Sequence, residues 1–130
     1  GEAMRVKIER DVPLQRISDL LCSALEGGSN YWYMIERQHP PKSVTFRCME
    51  EREFPHIDWP LNEGGYLIIK SLEEPERKAV RFDLAAVQRG LHLMAEQYSQ
   101  EWGDFIAEND DAHTGDTFLQ LAVFGKVIYG

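Results

Sequence analysis

Four histidines, two cysteines and several acidic clusters are the side chains of this 130-residue chain that could do chemistry. His56 and Asp58 stand beside Trp59 in a loop bounded by Pro55 and Pro60. A loop with an aromatic wall suits a site, but no nucleophile or oxyanion donor set accompanies the pair, so it specifies no reaction. The run Asp110-Asp111-Ala112-His113-Thr114-Gly115-Asp116 gathers three carboxylates and an imidazole, the composition of a metal site. It fails the calcium-loop template, because placing Gly115 at the sixth position puts Ala112 at the third. The plainer reading is a helix start, with Thr114 or Asp116 as cap and the acidic groups favoured by the helix dipole. His92 shares a helix face with Gln88 and Glu96 and reads as a surface residue. Gly27-Gly28 and Gly64-Gly65 lack the spacing of a Walker loop or a dinucleotide fingerprint. Neither a Gly-x-Ser-x-Gly elbow nor a His-Glu-x-x-His pair occurs. No catalytic residue, metal ligand or cofactor is assigned on this basis.

Aromatic residues carry the stronger signal. Tyr31, Trp32, Tyr33, Trp59 and Tyr66 all border the two glycine pairs. Rings at strand ends can stack a base or anchor a partner, and Asn30 offers both a donor and an acceptor. The candidate site for a ligand or partner is therefore Asn30, Tyr31, Trp32, Tyr33, His56, Asp58, Trp59 and Tyr66. A phosphate-bearing ligand would also need a cation, for which Arg37, Lys42, Arg47 and Lys70 are the candidates. The competing reading is that the aromatics are core and the glycines only turn corners.

The elements that must position these residues follow from periodicity. Residues 5–10 alternate polar and apolar side chains, which predicts a half-buried strand. Pro13 marks a helix start with Asp11 as cap, and Leu14, Ile17, Leu21 and Leu25 recur at helical spacing. Gly27 is expected to end that helix in the left-handed conformation. Strands are expected over 31–37, covered on both faces, and over 43–49, with a solvated charged stretch at 50–53. A hairpin then pairs residues 66–70 with 79–82 through a turn at 73–76. Asp83 caps a helix whose buried stripe is Leu84, Val87, Leu91, Met94 and Tyr98. A shorter helix carries Trp102, Phe105 and Ile106. The last, around 118–124, is apolar almost all round and is buried in the core or against another subunit. The fold class is α+β, an antiparallel sheet of about four to five strands packed against three to four helices. Residues 1–3 read as an expression scar and 4–130 as one domain.

A net charge of −8, with 22 acidic against 14 basic residues, repels a phosphate backbone, so direct nucleic-acid binding is not expected. No apolar run approaches the length of a membrane span. Without a secretory signal, Cys22 and Cys48 read as reduced thiols in a cytoplasm.

Four blocks give the chain a resemblance: LLCSALEGGSNYWY (20–33), IDWPLNEGGYLII (57–69), DLAAVQRGLHLMAEQY (83–98) and AENDDAHTGDTFLQLAVFGKVIYG (107–130). In combination they resemble small proteins of tailed bacteriophages and prophages that share EGGSNYW and TGDxFLQ-type blocks. The resemblance brings no catalytic residues with it. It implies a phage-encoded protein in the cytoplasm of the infected bacterial host. By analogy with other small non-structural phage proteins, it implies a non-enzymatic accessory protein. Such a protein would bind and inhibit a host component, a defence factor or a small nucleotide signal. Two alternatives stay open: a small enzyme acting on a nucleotide-like substrate, and a virion assembly protein. The expected partner is a host protein or small nucleotide, and a homo-oligomer fits every reading.

Overall fold

The computed structural model describes residues 2–48 and 55–130; the charged stretch expected at 50–53 lies outside the described residues, as do positions 49 and 54. Helix α1 (Leu14–Ser23) is prolonged by a π-helical turn (Ala24–Gly28) and leads into strand β1 (Tyr33–His39). A 3-10 helix (Pro55–Leu61) precedes β2 (Tyr66–Ser71) and β3 (Val80–Phe82), and helices α2 (Leu84–Gln97), α3 (Ser99–Ile106) and α4 (Ala112–Phe124) follow. The strands lie in the order β1-β2-β3, each pair antiparallel. The α+β class therefore holds, with three strands where four to five were expected.

The two missing strands fail for different reasons. Residues 5–10 have the alternating pattern but no partner strand among the described residues, and they run exposed without regular structure. Residues 43–48 are irregular because side chains take the backbone groups that a ladder would use. Asn62 Oδ1 accepts from the Thr45 and Phe46 amides at 2.7 Å each, and Asp58 Oδ2 accepts from the Cys48 amide at 2.9 Å. A strand must satisfy its backbone on a neighbour, and here two side chains serve instead.

Helix α4 is the centre of the core. It packs against α1, α2, α3 and the π turn, and every residue from position 114 to 123 is buried. Its all-round apolar character is thus explained within one chain. Small residues set how closely its neighbours approach. A Cβ at Gly90 would lie 2.7 Å from Ala122 Cβ, and one at Gly115 would lie 2.8 Å from the Ala24 amide nitrogen. Trp32, Leu67, Ile69 and Phe82 complete the interior on the sheet side.

Three helix ends differ from the sequence reading. Gly27 does not stop the first helix: the π turn runs through Gly28, and left-handed glycines occur instead at Gly64 and Gly125. Pro13 occupies the N-cap of α1 without a side-chain cap, so Asp11 does not fill that role. Asp111, not Thr114 or Asp116, caps α4, forming a reciprocal capping box with Thr114. The Thr114 amide that it accepts holds the Asp111 carboxyl below the usual carboxylate range. Asp83 caps α2 as expected, accepting from the Ala86 amide at 3.1 Å. β1 begins at Tyr33, two residues later than expected, and only one of its faces is covered: Met34 is 41% exposed.

Candidate functional site

The sequence motif at the first glycine pair builds a cradle for one buried carboxylate. Asp116, one turn into α4, is buried. Its Oδ1 accepts from Ser29 Oγ at 2.8 Å and Trp32 Nε1 at 2.7 Å; its Oδ2 accepts from Tyr31 OH at 2.6 Å and Gln120 Nε2 at 3.1 Å. A buried carboxylate is tolerable only when such donors replace its water. Gln120 continues the network, its Oε1 accepting from the amides of Ile128 and Tyr129 and its Nε2 donating to the Tyr129 carbonyl. The Trp32 ring packs on Phe124 and Tyr129, with centroids 5.1 and 5.6 Å away. Gly28 lets the π turn meet the start of α4: a Cβ there would sit 2.0 Å from the Ala112 carbonyl oxygen. Burial and the bond to Asp116 push the Tyr31 hydroxyl up to about 12. Tyr33 donates its hydroxyl to the Leu25 carbonyl, and burial with the nearby Glu26 charge raises it to about 12 as well.

The second block builds a comparable clasp. Asp58 accepts from Ser18 Oγ of α1 at 2.5 Å, and Asn62 Nδ2 donates to the carbonyls of Phe46 and Asp58. Gly65 allows close passage, since a Cβ there would meet the Trp59 carbonyl oxygen at 2.2 Å.

The eight candidate residues consequently fall into separate surroundings. Trp32 and Asp58 are interior and Tyr33 is half-buried. Asn30 is exposed, and Tyr31 is 46% exposed with its hydroxyl turned inward. His56 sits edge-on to Trp59 at 6.1 Å, and burial lowers its basicity. Tyr66 faces the other side of the sheet. The two glycine-aromatic corners do not line one surface. Each leads into the start of its strand, and β1 runs antiparallel to β2, so the corners sit at opposite ends, roughly 20 Å apart for strands of this length.

What the structure does bring together is the outer face of the sheet. Cross-strand partners share a face. The pairs Met34↔Lys70, Arg37↔Ile68, His39↔Tyr66 and Ile68↔Arg81 therefore all point away from the buried Leu67, Ile69 and Phe82. A bulge at Glu36 keeps Arg37 and His39 on this side. The His39 imidazole stacks on the Tyr66 ring at 4.8 Å and 12°, and the Arg81 guanidinium lies 4.0 Å from the same ring centroid. Arg81 also pairs with Asp83 at 3.2 Å. Among the described residues Arg37 and Lys70 enter no ion pair. A cleft of about 450 Å³ beside β1 is lined by Ile35, Glu36, Arg37, Gln38 and His56. The face thus offers three cations, of which Arg81 is held by Tyr66 and Asp83, and a planar π-cation stack.

Sequence reasoning missed Ser29, Asn62, Asp116 and Gln120 as the residues that hold these corners. The usable signal was a polar pair at i and i+4, Asp116 and Gln120, inside an otherwise apolar helix. It missed His39 and Arg81 because their grouping with Tyr66 depends on strand register. Among the described residues no cluster of acidic, histidine or cysteine side chains could hold a metal ion, and no described helix is long and apolar enough to cross a membrane. No protein-family model, curated protein or solved structure matches the chain.

Proposed function

We propose that this chain is a non-enzymatic binding protein that takes a small phosphate-bearing nucleotide on the outer face of its sheet. The observation that carries the reading is the grouping of Arg37, Lys70 and Arg81 with the His39–Tyr66 stack on one open face of a chain whose net charge is −8. Guanidinium and ammonium groups pair with phosphate oxygens, and a planar imidazole or guanidinium offers a base a surface to stack on. The acidic remainder of the molecule repels long polyanions while leaving a small anion free to approach the cationic patch. The resemblance to phage proteins supports an infected bacterium as the setting, where sequestering a nucleotide signal or masking a host factor would inhibit the process that depends on it.

Thermal-shift and calorimetric titration with mono-, di- and cyclic nucleotides tests this. A ligand bound at a hundredfold its Kd raises stability by about 2.7 kcal/mol. The expected result is a shift with at least one nucleotide, lost in Arg81→Ala and reduced in Lys70→Ala and Arg37→Ala. No shift across the panel, or a shift unchanged in all three variants, overturns the reading.

A further inference from the structure

The sheet leaves one strand-patterned segment unused. Met4, Val6 and Ile8 are 87, 69 and 85% exposed, and Arg5, Lys7, Glu9 and Arg10 are exposed between them. Alternate large apolar side chains in water are a template for pairing with another chain. The segment is also charged against the rest of its own molecule. Residues 4–10 hold three cations and one carboxylate, net +2, which leaves −10 on the remainder of a chain whose total is −8. The C-terminal helix, the other apolar element that could have sought a partner, is already covered by α1, α2 and α3.

We propose that residues 4–10 form a strand in a homodimer, pairing antiparallel with the same segment of a second copy. One antiparallel register of Met4-Arg5-Val6-Lys7-Ile8-Glu9-Arg10 combines two apolar pairs with two opposite-charge pairs. With Lys7 on the two-fold axis, Val6 faces Ile8 of the other copy on one side of the ribbon, where Met4 lies against the aliphatic stem of Arg10, and Arg5 faces Glu9 on the other. The symmetry repeats both pairs, as an isologous contact requires. Lys7 meets Lys7 on the axis, a like-charge pair that opposes association, with the Glu9 and Arg5 side chains of both copies as its diagonal neighbours. A shift by one residue sets apolar side chains against charged ones. A shift by two replaces the Arg5–Glu9 pairs by Arg5 against Lys7 in one direction, and in the other leaves a single apolar pair, Ile8 against Ile8. A two-stranded ribbon alone is marginal in water, so the dimer is weak and concentration-dependent.

Sedimentation velocity of the full chain, from micromolar to hundreds of micromolar, reads the dimer directly. Wild type is expected to show a monomer–dimer equilibrium. Ile8→Asp is expected to abolish it with unchanged circular dichroism and urea midpoint, because the segment adds nothing to the core. Arg5→Glu and Glu9→Arg should each weaken the dimer about 5- to 30-fold by placing like charges opposite one another, and the double swap R5E/E9R should restore it to within about threefold. A wild type that stays monomeric throughout, or a dimer indifferent to Ile8→Asp, overturns the proposal. So does a double swap no better than the singles, which would mean that the segment docks on the acidic body or on a different protein.

Discussion

Replacing Asp116 by alanine isolates the role of the carboxylate that the first glycine-aromatic block surrounds. Four donors converge on it at 2.6 to 3.1 Å. Three of them, on Ser29, Trp32 and Gln120, are on buried residues; the Tyr31 hydroxyl is nearer to solvent. A buried donor that loses its acceptor costs about 1–3 kcal/mol. Gln120 retains the Tyr129 carbonyl at 3.1 Å, and relief of the carboxylate's own desolvation offsets part of the loss. The sum is therefore about 3–5 kcal/mol, a large share of the roughly 5–15 kcal/mol that holds a domain together. Urea unfolding followed by tryptophan fluorescence measures it, since Trp32 is itself a reporter. Asp116→Asn keeps an oxygen for Ser29 and Trp32 but turns an amide toward Gln120, and should cost about half as much. Ser29→Ala should be destabilising in wild type and nearly neutral in the Asp116→Ala background, the coupling expected of contacting residues. An Asp116→Ala variant within about 1 kcal/mol of wild type would refute the reasoning, as would an asparagine variant weaker than the alanine one.

The two glycines of the first corner should separate cleanly. Gly28→Ala drives a Cβ into the Ala112 carbonyl and should cost about 3 kcal/mol or more, whereas Gly27→Ala meets nothing within 4 Å and should be neutral or stabilising by up to about 1 kcal/mol; urea midpoints compare them. Asn62→Ala removes an acceptor of two amides and a donor to two carbonyls. It should lower stability by about 2–4 kcal/mol, with faster hydrogen exchange at the Thr45 and Phe46 amides. Tyr31 and Tyr33 both titrate near 12 in the fold, above the ordinary value of 10.0. The folded state thus holds their protons more tightly, their contribution is complete below pH 10, and it is lost as pH rises from 10 through 12. Tyr31→Phe with Tyr33→Phe should flatten that alkaline decline. His56 has the opposite sense: burial lowers its pKa, so its contribution is present above the unfolded value of about 6.5 and declines as pH falls below it, which an acid unfolding series of His56→Gln against wild type reads.

Patterns that depend on one helix were legible in the sequence. The helices α1 and α2 and the Asp83 cap follow from local spacing, and the structure shows them; of the expected stripes Ile17, Leu21, Leu25, Val87 and Met94 are buried and Leu91 and Tyr98 half-buried, whereas Leu14 and Leu84, each in the first turn of its helix, are 39 and 41% exposed. Strands were less legible, because a strand exists only with a neighbour. The 5–10 alternation has none among the described residues, and 43–48 lost its ladder to Asn62 and Asp58. The corner residues show the same limit. Asp116 in sequence sits five residues after Asp111 of an acidic pair and reads as a cap; only the fold brings residues 29–32 to it across more than eighty positions. The antiparallel arrangement also decides that two similar Glu-Gly-Gly corners end up apart, which tripeptide similarity alone cannot reveal.

The long reach of the Asp116–Gln120 network has a consequence for biosynthesis. During synthesis Ser29, Tyr31 and Trp32 emerge long before their acceptor on α4, and Gln120 waits in turn for the amides of Ile128 and Tyr129. Sheet pairing can begin earlier, but the indole of Trp32 has no acceptor and no Phe124 or Tyr129 to lie on until those residues have been made. Closing such distant contacts is slow relative to local helix formation. The contacts that seal Trp32 and Asp116 can therefore close only once the last turn of α4 and the residues behind it have been made.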